Sequence, residues 1–141
     1  MINKKSIYQK IRHKGVAAVE AAVVFPLLCI LIFGVIEYGW MFLKAHQITN
    51  AARSACRVAI RPSATNQNVA DRVTALMAIA GIAGETVTTY PSDISLDNVG
   101  VGGMIEVEIV VPWANMAIIN FSFLPAPENI QASVIMAKEG V

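Results

Sequence analysis

"HKGVAAVEAAVVFPLL", residues 13–28, sets a single carboxylate inside an otherwise apolar run. The acid is Glu20; Gly15 lies five residues before it, and a basic segment precedes the glycine. This run decides the fold because it continues so far. Ala21 to Ile36 holds no charge in sixteen residues, and Val16 to Leu43 is interrupted only by Glu20 and Glu37. A helix of about 20 apolar residues crosses a hydrocarbon core of about 30 Å. At about 1.5 Å per residue the two acids stand about 25 Å apart along a helix axis. Both therefore fit near opposite edges of a bilayer that the stretch between them spans.

Working outward, charge predicts orientation. Five of the eleven Lys and Arg residues, Lys4, Lys5, Lys10, Arg12 and Lys14, precede the apolar run. Positive flanks stay in the cytoplasm, and Tyr38 and Trp40 suit the opposite interface. Residues 45–141 are then expected outside the cytoplasmic membrane. A cleaved secretory signal peptide is the alternative for this region. It accounts for the basic start but poorly for Glu20, and "FGVIEYGW" is a weak cleavage site.

The helix is expected to continue past the membrane. In "KAHQITNAARSACRVAIR", residues 44–61, apolar positions recur at Ala45, Ile48, Ala52, Ala55 and Ala59, which is helical spacing. Arg53, Arg57 and Arg61 recur every fourth residue on another face. Pro62 stops the element, because proline disfavours helix in the residue before it. Pro26 removes one backbone donor inside the span and is expected to bend the rod there.

The remaining residues, 62–141, predict a small α+β head. Asn68–Gly84 reads as a second helix capped by Asn66 or Asn68. Thr86–Tyr90 has strand composition. Met104–Val111 alternates, with Ile105, Val107, Ile109 and Val111 on one face and Glu106 and Glu108 on the other. Gln131–Lys138 alternates too and is expected to pair with it. The apolar segment from Trp113 to Leu124 is expected under or beside the sheet. About 80 residues make a thin core, which the projecting helix must help to complete.

Chemistry is sparse. Apolar residues make up 55% of the 141 and charged residues only 15%. His13 and His46 are the only histidines and lie far apart, so neither a metal site nor a cofactor is expected. No serine stands in a nucleophile elbow, and no catalytic residue is assigned. Asn98–Gly103, "NVGVGG", lacks the Lys-Ser/Thr of a phosphate loop and reads as a turn. Glu106 and Glu108 read as the wet face of a strand. Cys29 and Cys56 lie about 40 Å apart on one continuous helix and cannot pair within the chain. The arginine stripe reads as a solvated face. Beyond residue 15 six Lys and Arg stand against ten Asp and Glu, and nucleic acid is not an expected partner.

A basic leader, a glycine, and an apolar helix with Glu as its fifth residue resemble the class III leader peptides of type IV pilins and pseudopilins. More narrowly, "GVAAVEAAVVFPLLCILIFGVIEYGWMF" followed by "NAARSACRVAI" resembles the TadE-like family, pilin-like proteins of tight-adherence (Tad) pilus systems. The resemblance covers residues 14–61. It implies a leader over 1–15, cut between Gly15 and Val16 by a prepilin peptidase, and a transmembrane and projecting helix over 16–61. It also implies a type IV pilin-like α+β fold with an antiparallel sheet in the 62–141 head. Its expected partners are the inner membrane, other pilin-like subunits and the pilus assembly platform.

Physical chemistry gives the same residues work. Ala17, Ala18, Ala21 and Ala22 form two small-xxx-small pairs that let helices approach closely. An acid in lipid needs a partner, and cleavage would supply the Val16 ammonium. At about 4 Å and an effective dielectric near 20 that attraction is of order 4 kcal/mol before desolvation. Two rival readings remain open: a permanently anchored extracytoplasmic binding module, and an extracytoplasmic enzyme.

Overall fold

The computed structural model describes residues 4–118 and 125–140, and side chains from Gly15 onward. The first element, α1, runs from Lys4 to Ala59 with Pro26 inside it. From Gly15 on it is long and apolar enough to cross a membrane. The chain divides into two compact units, Met1–Ile36 and Glu37–Val141.

In the first unit, α1 presents apolar side chains on all sides. Val16, Val19, Val23, Phe25, Leu27 and Leu31 are all exposed. A helix apolar all round needs burial in a core or in lipid, and among the described residues no core side chain comes from this part of α1.

The second unit is a two-layer α+β head. It holds the Glu37–Ala59 part of α1, the helix α2 (Asn66–Ala80), and the strands β1 (Thr86–Tyr90), β2 (Met104–Pro112) and β3 (Asn129–Ala137). The strands form an antiparallel sheet in the order β1-β2-β3. In the register Val107 faces Thr89 on one side and Val134 on the other, and Ile109 faces Val87 and Ala132. Ile105, Val107, Ile109 and Val111 are fully buried, as their alternation requires.

Both helices cover this inner face. α1 contributes Ile48, Ala51, Ala52, Ala55, Cys56 and Ala59, and α2 contributes Val69, Val73 and Met77 at four-residue spacing. The alanines bring the α1 backbone close to the sheet. Cys56 Sγ lies 3.7 Å from the Ile105 carbonyl oxygen and 3.5 Å from that of Val134. At the other end of this segment Trp40 Nε1 donates to the Met116 carbonyl at 2.7 Å. β2 therefore runs roughly antiparallel to the α1 segment that covers it.

Element ends differ from the sequence expectation by a few residues, for local reasons. α2 starts at Asn66 rather than Asn68, because its cap is Thr65: Thr65 Oγ1 accepts from the Asn68 amide and Asn68 Oδ1 accepts from the Thr65 amide, a capping box. It stops at Ala80, where Gly81 adopts a left-handed φ of 63°. β3 lies over Asn129–Ala137 and Lys138 falls beyond it, buried. Trp113 and Met116 join the core, while residues 119–124, including Phe121 and Phe123, lie outside the described residues.

Candidate functional site

Gly15 to Glu20 are all helical and exposed. A Cβ added at Gly15 would meet nothing within 4 Å. Glycine inside a helix costs about 1 kcal/mol relative to alanine, so packing in this helix gives no reason for the residue. Val16 and Glu20 are one turn apart on the same face. With Gly15, Val19 and Val23 they line a shallow depression. Helical side chains lean toward the N-terminus, so the Glu20 carboxylate leans toward the Val16 backbone nitrogen. That nitrogen is now an ordinary helical amide. Were the chain to begin at Val16, it would be an ammonium, and Glu20 would stand near the positive end of the helix dipole.

Ala17, Ala18, Ala21 and Ala22 are exposed beside this face. Each pair, Ala17 with Ala21 and Ala18 with Ala22, leaves a strip narrow enough for a neighbouring helix. Pro26 has no N–H to return to the Ala22 carbonyl, the bond a regular helix makes there.

Other residues singled out in the sequence go elsewhere. Arg53, Arg57 and Arg61 are exposed, as is His46. Glu106 and Glu108 are half-buried on the outer face of the sheet, and Ser133 Oγ donates to Glu106 Oε1. Asn98–Gly103 ends in a turn: the Gly103 amide donates to the Gly100 carbonyl at 2.9 Å, and Gly102 has a φ of 80°. Cys29 is partly buried in the apolar N-terminal part of α1, whereas Cys56 is sealed in the head core. Among the described residues no three His, Cys, Asp or Glu side chains gather as a metal site.

The sequence reading missed one group of polar anchors. Tyr38 and Trp40 do more than suit an interface: the Tyr38 hydroxyl donates to the Pro125 carbonyl at 2.7 Å, while Trp40 holds Met116. Lys44 is only 5% exposed; its ammonium lies over the Trp40 ring, 4.6 Å from the centroid. Glu37 is buried in the same unit. The signal was available, since Trp40, Lys44, Ile48 and Ala52 recur every fourth residue and extend the buried stripe backward.

No curated protein and no solved structure matches the chain. The family model described as TadE-like protein matches residues 15–57. The match opens at Gly15, takes in Glu20 and the small-residue pairs, and ends just past Cys56. Over residues 15–57 the chain thus matches the TadE-like family, the one its residues resemble.

Proposed function

We propose that the chain is a pilin-like structural subunit or assembly factor of a Tad-type type IV pilus, without catalytic activity of its own. In this reading a prepilin peptidase cuts between Gly15 and Val16 on the cytoplasmic face. The head lies outside the inner membrane, and the processed chain joins other pilin-like subunits through its helix. The observation that carries the reading is the family match opening at Gly15, with Glu20 one helical turn past Val16.

Glu20 gives cleavage a physical purpose. Before the cut it is an acid in an apolar helix. After the cut it is a first-turn acid beside an ammonium, on its own or a neighbouring chain. The alanine pairs let that neighbour come close enough. The test is mass spectrometry of the N-terminus in cells that assemble the pilus. A chain beginning at Val16 is the expected result. A chain still carrying residues 1–15 in such cells would overturn the reading and favour the permanently anchored binding module.

A further inference from the structure

The head carries its charges on opposite faces. On the helix layer Arg53 and Arg57 are exposed on α1, Arg61 is exposed just past its end, and Arg72 of α2 joins them, its Nε donating to Ser54 Oγ at 3.0 Å. Asp71 of α2 accepts from Gln67 at 2.7 Å. On the outer face of the sheet the only charged strand residues are Glu106 and Glu108.

The two sets match in level, direction and spacing. Cys56 lies against the Ile105 carbonyl, so the next residues, Arg57 and Glu106, stand at one level on opposite sides of the head. Because β2 runs opposite to α1, the step from Arg57 to Arg53 and the step from Glu106 to Glu108 go the same way. The first step is about 6 Å along a helix and the second about 6.8 Å along a strand.

We propose that the head docks onto a second copy of this chain, with Arg53 and Arg57 of one copy facing Glu108 and Glu106 of the next. The contact is heterologous, the basic helix face of one copy on the acidic sheet face of another, so it repeats in one direction and builds a row. The proposal rests on the pilin-like reading, which sets copies side by side with parallel helices in one membrane. Exposed ion pairs are individually weak. Confinement to one membrane raises the effective concentration of the second contact, so weak pairs suffice.

The experiment uses the full chain in membranes, expressed with two different tags, and reads co-purification of one tag with the other. Arg53→Glu with Arg57→Glu makes both faces acidic; Glu106→Lys with Glu108→Lys makes both basic. Each double variant is expected to lose self-association by about tenfold or more, through like-charge repulsion. Co-expressing the two is expected to restore association near the wild-type level, which also shows that both fold. Three results would overturn the proposal: absence of wild-type self-association, a double variant that still associates with itself, or a mixed pair that fails to recover. An Arg53→Glu/Arg57→Glu variant that loses a different acidic protein but keeps its self-association is a case of the second. N-terminal mass spectrometry of the same samples separates the two readings. A cleaved chain with charge-independent association removes only this inference; an uncleaved chain with charge-dependent association removes only the pilin-like reading.

Discussion

The Lys44 ammonium donates to the carbonyl of Ala80, the last residue of α2, at 2.6 Å. A cation from α1 thus closes the negative end of a second helix while the same ammonium lies over the Trp40 ring. This contact fixes α2 against α1 at the end away from the capping box.

Lys44→Met tests it by keeping the stem and removing the charge. The Ala80 carbonyl loses its donor, and hydrogen bonds to charged groups are worth about 2 kcal/mol. Thermal unfolding of the detergent-solubilised chain, followed by near-UV circular dichroism, should show a lower Tm. An unchanged Tm would mean that water replaces the ammonium at no cost.

Gly15→Val should leave α1 intact and the chain in the membrane, because nothing lies near the added Cβ. Processing should nevertheless fail, since the demand for glycine comes from the peptidase, where a bare backbone fits a tight active site. Intact mass is the readout. Normal cleavage of Gly15→Val would remove the role assigned to the glycine.

Glu20→Ala should still be cleaved, yet co-purify with other pilin-like subunits about tenfold less, the cost of an uncompensated ammonium among apolar helices. Glu20→Gln keeps the size and some hydrogen bonding, so it separates charge from shape. Wild-type association of Glu20→Ala would end the pairing mechanism and leave the cleavage claim standing.

Cys56 should resist alkylation in the folded head, since its side chain has no exposed surface. Cys56→Leu should overpack the space between α1 and the sheet and destabilise by about 1–3 kcal/mol. Rapid labelling of Cys56 by a maleimide under native conditions would contradict the tight α1-to-sheet contact.

Protease added to intact cells should spare the head, and opening the outer compartment should expose it to digestion. Persistent protection would place residues 45–141 in the cytoplasm and reverse the orientation drawn from Lys4 to Lys14.

The sequence was most legible where one physical demand acts alone. The long apolar helix was readable because its run of residues holds so few charges, and β2 because its alternation faces a core on one side and water on the other. Ile48, Ala52, Ala55 and Ala59 of α1 fell on the buried stripe for the same reason. Lys44 and Lys138 were not legible as buried residues. Their burial depends on the Ala80 and Leu96 carbonyls, which arrive from 36 and 42 residues away, and no local pattern announces them. Thr65 was passed over because two asparagines nearby are equally good caps in isolation; Asn68 serves the box from inside the helix instead. For Gly15 and Glu20 the geometry adds little to what the sequence suggests, because their proposed work begins only when a bond is cut.

β3 carries a final consequence. It pairs with β2 along its whole length, and just after it the Glu139 amide donates to the Ile60 carbonyl at 3.0 Å, tying it to the end of α1. The core therefore cannot close until residue 139 has joined residues that precede it by almost 80 positions. With the head outside, as proposed, the polypeptide must be threaded across the membrane as an open chain. Ile48, Val73 and Ile105 travel unsheltered until the final strand arrives. Export and folding are then one ordered event, and a stall in translocation would leave an anchored, sticky intermediate open to whatever chaperone or protease waits on the far side.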